Sequence, residues 1–145
     1  MNIYFDVDYT LIAMDGTLRP HTKETFSRLI DDGHKIYIWS GVGDRSTDID
    51  RLKLSKYVSG VFVKPLTDFE VGLTRFEVDP IPDFVVDDHR EIVEHFGGIH
   101  IEPLYFRSSN DEQMKSLYEA VFEFSECGKS AHRGFKKKPE KGLDF

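Results

Sequence analysis

Four groups of polar residues follow apolar runs of this sequence, and their side chains are suited to chemistry on a phosphate. In chain order they are Asp6 with Asp8, then Ser40, then Lys64, and last the pair Asp87-Asp88. Carboxylates bind Mg²⁺, and hydroxyl and ammonium groups can hold phosphoryl oxygens. A cation between two anions removes the repulsion that slows attack on a phosphate monoester. These residue types therefore predict magnesium-dependent chemistry on a phosphate group.

The first group offers two carboxylates that can share one reaction. Asp6 and Asp8 stand two positions apart after the apolar run 3–5, and a turn at the strand end lets both converge on one site. One can attack phosphorus and form an aspartyl-phosphate. The other can protonate the leaving group and then activate the water that cleaves the intermediate. Alone, this spacing is common in turns and helix caps, and only the groups that follow make it suggestive of chemistry.

The later groups supply contacts for the phosphate and the metal. The Ser40 hydroxyl can donate to a phosphoryl oxygen, and Gly41 lets the backbone approach closely and offer its amide. Lys64 places a positive charge against the phosphoryl oxygens or against the first acid. The pair Asp87-Asp88 would complete the metal site, although adjacent acids are also common as helix caps.

Alternating strand and helix patterns place each group at a strand end. The predicted strands are 3–5, 35–39, 60–63, 83–86 and a weaker 98–101. The predicted helices are 22–32, about 48–57, 90–96 and one that begins at Ser109. This alternation is typical of an α/β fold in three layers, with a parallel sheet covered on both faces. Ligands bind beyond the carboxyl ends of such strands, where all four groups fall.

Two stretches interrupt the alternation. Asp15-Gly16 between apolar residues predicts a β-hairpin within 10–19, which would form a small flap beside the site. The stretch 65–82 shows no clear helix pattern, and it can be either a loop or a second small hairpin.

The groups resemble the four motifs of the haloacid dehalogenase-like superfamily, in its phosphohydrolase branch. The matching residues are Asp6-Val7-Asp8-Tyr9-Thr10, Ser40, Lys64 and Asp87-Asp88, and the resemblance covers residues 1 to about 102. It implies a Rossmann-like sheet of about five strands in the order 5-4-1-2-3. It also implies that Asp6 is the nucleophile and Asp8 the general acid and base. The metal would be held by Asp6, the main-chain carbonyl of Asp8, and one acid of the final pair.

The resulting assignment covers three kinds of site residue. The predicted catalytic residues are Asp6, Asp8, Ser40 and Lys64; the substrate contacts are Thr10, Ser40, Gly41 and Lys64; the Mg²⁺ ligands are Asp6, Asp8, Asp87 and Asp88. The gaps from Asp8 to Ser40 and from Ser40 to Lys64 hold 31 and 23 residues, which the predicted hairpin, helices and strands fill. The resemblance therefore implies a member without a cap domain, whose site is open.

Composition sets the remaining expectations. We expect one catalytic domain over residues 1–126 and a poorly ordered basic tail over 127–145. The formal net charge of -7 argues against a nucleic-acid partner. No apolar run approaches the roughly 20 residues that span a bilayer. The single cysteine, Cys127, and an N-terminal segment without a basic n-region predict a cytoplasmic protein.

The principal prediction is a magnesium-dependent phosphatase that hydrolyses phosphate monoesters through an aspartyl-phosphate. Its phosphorylated substrate can be a macromolecule, or a small molecule over which a second copy of the chain closes the site. A phosphoacceptor domain of the response-regulator type uses similar groups, but its acid pair comes first in the chain and here the pair comes last. A domain that binds phosphate, a nucleotide or a partner without turnover is the third alternative, and the complete set of groups argues against it.

Overall fold

A six-stranded, mostly parallel sheet forms the centre of the structure, a computed structural model that describes residues 1–140. The strands are β1 (Asn2–Phe5), β2 (Lys35–Ser40), β3 (Val58–Val63), β4 (Phe84–Asp87), β5 (Gly98–His100) and β6 (Phe135–Lys136). The helices are α1 (Thr22–Asp31), α2 (Ser46–Arg51), α3 (Phe69–Arg75), α4 (Arg90–Phe96) and α5 (Gln113–Cys127), with a short 3₁₀ helix at Ser55–Tyr57. The α/β class and the mainly parallel sheet agree with the sequence-based prediction.

The order of the strands differs from the predicted one. The sheet runs β3-β2-β1-β4-β5-β6, with β1 to β5 parallel and β6 antiparallel to β5. From the β6 edge the order is therefore 6-5-4-1-2-3, not the five-stranded 5-4-1-2-3. The difference is the additional strand at the edge, β6, which pairs with β5 through Gly98 with Lys136 and Ile99 with Phe135.

That additional strand comes from the segment predicted to be a poorly ordered basic tail. Phe135 pairs with Ile99 of β5, and its ring lies 5.7 Å from the ring of Phe124 in α5. One apolar side chain and two residues of backbone pairing are enough to fix the segment, although charged residues surround it. The segment predicted as a tail over 127–145 thus supplies β6 and the last residue of α5, and residues 141–145 lie outside the described part of the chain.

Side-chain alternation along the strands builds a core on each face of the sheet. In β1, Ile3 and Phe5 belong to one buried cluster and Tyr4 to the other, as expected when successive side chains point to opposite faces. The first cluster includes residues of α1, α2 and α5, and the second includes residues of α3 and α4. The sheet is therefore covered on both sides, which fixes the positions of its strand ends.

The hairpin predicted within 10–19 is present in a short form. Ile12 and Leu18 form a single antiparallel bridge, and the amide of Ala13 donates to the carbonyl of Thr17 at 2.9 Å. The side chain of Asp15 accepts the amide of Thr17 at 3.0 Å and closes the turn. We refer to residues 10–19 as the flap.

Three helices depart from the sequence-based prediction. The helix expected over 48–57 ends at Arg51, because Lys53 has a left-handed backbone (φ 58°) that a helix cannot continue through. The stretch 65–82, read as loop or hairpin, contains α3, whose Leu73 is buried against the sheet. Packing of this kind can stabilise a short helix of weak propensity. The last helix begins at Gln113 rather than Ser109. No helix within residues 1–140 is long and apolar enough to cross a membrane.

Candidate active site

The carboxyl ends of four neighbouring strands bring the predicted polar groups to one edge of the sheet. Asp6 follows β1, Ser40 ends β2, Lys64 follows β3 and Asp87 ends β4. All four residues are almost fully buried, with between 0% and 4% of their surface exposed. Because these strands are parallel and adjacent, the groups lie in one row beneath the loops at this edge.

Lys64 joins two acids of this row. Its ammonium group donates to Asp6 Oδ1 at 3.0 Å and to Asp87 Oδ2 at 2.8 Å. Burial alone would lower the pKa of Lys64, but the carboxylates of Asp87 and Asp6 outweigh burial and raise it. Lys64 is therefore a fixed cation that holds two carboxylates side by side.

Asp6 has the most perturbed carboxyl group of the site. Burial and the nearby charge of Asp87 raise the pKa of Asp6 to about 8, with Lys64 opposing the shift. The hydroxyl of Thr10 donates to Asp6 Oδ2 at 3.2 Å, and Thr10 is itself fully buried. The predicted role of Thr10 was a substrate contact, whereas the structure places its hydroxyl on Asp6, where it orients that carboxylate.

Asp8 lies in a different environment from Asp6. Its side chain is 39% exposed, and both of its oxygens accept from Arg45, at 2.7 and 3.0 Å. Arg45 immediately precedes α2 and was not singled out in the sequence, because 37 residues separate it from its partner. The two acids of the first motif therefore differ in burial, partner and charge, as two groups with different tasks would.

Ser40 and Gly41 lie next to this ion pair. The amide of Val42 donates to Ser40 Oγ at 3.2 Å, and Arg45 Nη1 approaches the same oxygen to 3.4 Å. A Cβ atom on Gly41 would come within 2.5 Å of the side chain of Leu66. The loop after β2 therefore passes close to the loop after β3, and a larger residue at this position would displace the exposed side chain of Leu66.

The carboxylates near β4 form a group suited to a cation. Asp6, Asp87, Asp88 and His89 each offer one ligand atom, and these atoms lie within 4.8 Å of one another. Lys64 and the amide of His89 donate to the two oxygens of Asp87, at 2.8 and 2.9 Å, so Asp87 is as fully hydrogen-bonded as Asp6, whose oxygens accept from Lys64 and Thr10. The hydrogen bond with Asp87 also raises the pKa of the His89 imidazole to about 9, so the protonated ring is a poor metal ligand.

Asp88 has the oxygen that is available to a metal ion. Its Oδ1 is buried and makes no hydrogen bond to any described residue; His89 Nδ1 lies 3.5 Å away without hydrogen-bond geometry. A buried carboxylate oxygen without a hydrogen-bond donor lowers the stability of the fold. Such an oxygen is a suitable ligand for Mg²⁺. The residues therefore fit a hard divalent cation held between Asp6 and Asp88. The predicted ligand atom of Asp8 is its main-chain carbonyl, and the side chain of Asp8 pairs with Arg45.

A second arginine that sequence reasoning missed organises the loops behind the site. Arg19, at the end of the flap, is 1% exposed. It donates to the main-chain carbonyls of Thr10 and Glu102 at 3.1 and 2.6 Å and to both carboxylate oxygens of Asp111 at 2.9 and 3.0 Å. Asp111 in turn accepts the amide of Gln113 at 3.1 Å, which explains why α5 begins there. Arg19 therefore fixes the motif loop to the segment before α5.

Replacing Arg19 with Ala is expected to lower the free energy of unfolding by about 3–5 kcal/mol, because Asp111 and two carbonyls would lose their buried partner. Chemical denaturation would measure the loss. Arg133→Ala is the matched control, since Arg133 also contacts Glu102, at 2.7 Å, but on the surface, where a pair contributes at most about 1 kcal/mol. Equal losses in the two variants would show that Arg19 does not have this role.

Comparisons with known proteins give the fold and little else. No protein-family model matches the sequence, and no curated protein sequence is significantly similar to it. A crystal structure of an uncharacterized protein from Listeria monocytogenes serotype 4b is similar in fold, with a TM-score of 0.58 and 13% sequence identity. The similarity covers 87% of this chain and 99% of that one. At this level of identity it supports the architecture alone.

Proposed function

We propose that the protein is a magnesium-dependent phosphatase of the haloacid dehalogenase-like superfamily, which hydrolyses phosphate monoesters through an aspartyl-phosphate. The main support is the buried Lys64, which joins Asp6 and Asp87 next to an Asp88 oxygen that accepts no hydrogen bond from a described residue. A fold needs no buried lysine between two acids for stability, because apolar residues of similar volume serve as well. Such an arrangement is reasonable where the groups take part in chemistry.

In this proposal the two acids of the first motif carry the reaction steps. A carboxylate oxygen of Asp6 attacks phosphorus, the bond to the ester oxygen breaks, and Asp8 gives its proton to the leaving alkoxide. Asp8 then takes a proton from water, whose oxygen attacks phosphorus and releases inorganic phosphate and the Asp6 carboxylate. Mg²⁺, held by Asp6, Asp88 and the carbonyl of Asp8, would neutralise charge on the phosphoryl oxygens. Lys64 and Ser40 supply further donors at that position.

Hydrolysis of an aryl phosphate is expected only when Mg²⁺ is present. The experiment measures initial rates in magnesium, in chelator, and after magnesium is restored. Recovery of the rate in the third sample separates loss of the ion from loss of the fold. Absence of turnover in every sample, together with a rise in melting temperature on adding phosphate, would instead favour a domain that binds phosphate without hydrolysing it.

Adding Mg²⁺ is expected to raise the melting temperature, and by more at pH 8 than at pH 6. The pKa of Asp6 rises from 3.8 to about 8 in the folded protein. The neutral carboxyl therefore contributes stability fully below pH 3.8, and this contribution is lost as pH rises through about 8. The cation needs the carboxylate, so at pH 6 it must displace a proton that is largely absent above pH 8.

Thermal unfolding at both pH values, with magnesium or with chelator, measures this dependence. Asp6→Asn is the control, because its side chain does not titrate and its magnesium response should depend less on pH. A shift of equal size at pH 6 and pH 8 in the unaltered protein would contradict the proposed role of Asp6 as a ligand.

The surroundings of the site suit a substrate larger than the phosphate alone. Only the flap and α1 lie between β1 and β2, and only α2 and the 3₁₀ helix lie between β2 and β3. We therefore propose a site without a cap domain, open to a phosphorylated macromolecule or closed over a small substrate by a second copy. A cytoplasmic location is part of the proposal and is supported by the single cysteine.

A further inference from the structure

Arg45 occupies the space between two groups to which the proposed phosphatase assigns a role. Its Nη1 lies 2.7 Å from Asp8 Oδ2 and 3.4 Å from Ser40 Oγ. Its side chain is only 15% exposed, so most of the guanidinium is enclosed by these neighbours. The guanidinium therefore borders the position where a phosphate held by Ser40 would lie.

The guanidinium is fixed from its other side. Nε donates to Asp48 Oδ2 at 2.6 Å, and Asp48 lies on the first turn of α2. With the Nε edge held by Asp48, the two Nη atoms are directed towards Asp8. Asp48 is thus a positioning residue, and the orientation of Arg45 does not depend on Asp8 alone.

The fork of Arg45 holds the two oxygens of the Asp8 carboxylate, and a phosphate presents a similar pair of oxygens with more negative charge. Planar guanidinium groups bind carboxylate and phosphate in the same bidentate geometry. Asp8 is 39% exposed, so it has room to move when another anion takes its place. A carboxylate that remains in a bidentate pair is also badly placed to reach a leaving group.

We infer that Arg45 is a phosphoryl-binding residue, which exchanges the Asp8 carboxylate for two oxygens of the substrate phosphate. This inference rests on the proposed function and adds a residue outside the four motifs. On exchange, Arg45 binds the phosphate and Asp8 is released towards the ester oxygen. The ligand class is a tetrahedral oxyanion with at least two free oxygens, such as a phosphate monoester or inorganic phosphate.

Inhibition by inorganic phosphate tests the inference directly. In Arg45→Ala the inhibition constant for phosphate and the KM for an aryl phosphate should both rise by about tenfold to 100-fold, the range for loss of a charge-assisted hydrogen bond. Arg45→Lys keeps the charge but loses the bidentate geometry. Its inhibition constant and its KM should therefore lie between those of the unaltered protein and those of Arg45→Ala. If Arg45 served only to hold Asp8, kcat would fall while the phosphate constant changed less than about twofold, and that result would overturn the inference.

The matched control is Arg51→Ala. Arg51 is the last residue of α2, the helix that Arg45 precedes, and it also approaches Asp48, at 3.4 Å. Its side chain is half exposed and donates to the carbonyl of Gly16 in the flap. Its phosphate constant should equal that of the unaltered protein. If phosphate binding were weakened equally in the Arg51 and Arg45 variants, the cause would be the loss of one positive charge and not a contact with the phosphate. That result would also overturn the inference. Melting temperatures establish that each variant is folded. If Arg45→Ala does not fold, Arg45→Lys takes its place in the comparison.

Calorimetric titration with inorganic phosphate in magnesium separates this inference from the proposed function. Phosphate binding that Arg45→Ala abolishes, in a protein without phosphatase activity, would support the inference and reject hydrolysis. Activity in the unaltered protein with unchanged phosphate affinity in Arg45→Ala would support hydrolysis and reject the inference. A protein that neither binds phosphate nor hydrolyses esters would reject both.

Discussion

Replacement of Asp6 by Asn is expected to reduce hydrolysis of an aryl phosphate by at least about 10⁴-fold, the scale seen when an enzyme loses its nucleophile. The amide keeps the shape of the carboxyl group but cannot form the acyl phosphate. The fold should be retained, because Asp6 has Asp87 as a like-charged neighbour and its carboxylate is not stabilised by burial. Initial rates in saturating magnesium, with melting temperatures of both proteins, measure the two effects.

Asp8→Asn distinguishes the nucleophile from the acid. It should slow hydrolysis of alkyl esters more than that of activated aryl esters, whose leaving groups need less protonation. Asp6→Asn should be inactive on both kinds of ester. Residual turnover in Asp6→Asn above that of a chelated sample would remove Asp6 from the role of nucleophile.

Replacement of Lys64 by Met is expected to lower the free energy of unfolding by about 3–5 kcal/mol at pH 8, since Asp6 and Asp87 would then lie together without a cation. Met preserves most of the side-chain volume, so packing changes little. The loss should shrink as the pH falls towards 4. Asp6 has a raised pKa in the fold, so its neutral form is favoured at low pH and its charged form costs stability as pH rises.

Lys115→Met is the matched control for this variant. Lys115 pairs with Glu112 at 3.2 Å on the surface of α5 and is half exposed, so its loss should cost less than about 1 kcal/mol at either pH. Chemical denaturation at pH 4 and pH 8, in chelator, gives the comparison. A Lys64 variant as stable as the Lys115 variant at pH 8 would contradict the view that Lys64 holds the two acids.

The sequence predicted the parts of the site that follow from strand position. Asp6, Ser40, Lys64 and Asp87 each adjoin a strand end, and the rule that parallel strands share a carboxyl edge was sufficient to bring them together. It also predicted a hairpin beside them from one Asp-Gly pair. These inferences needed only local pattern and one rule of topology.

The arginines could not be predicted in this way. Arg19 contacts Asp111 across 92 residues and Arg45 contacts Asp8 across 37, and no local pattern distinguishes them from surface arginines. Their roles depend on how loops meet at the edge of the sheet. Helix α3 escaped detection for a related reason, because its apolar contacts with the second core cluster, rather than its own residues, stabilise it.

The sixth strand has a consequence for how copies of this chain meet. An uncovered outer edge of β5 would present free amides and carbonyls with which strands of other molecules can pair. β6 covers that edge with two residues. A chain cut after residue 126 would expose the edge of β5 to pairing with strands of other molecules. Such a shortened protein would tend to aggregate even with every residue of the proposed site in place.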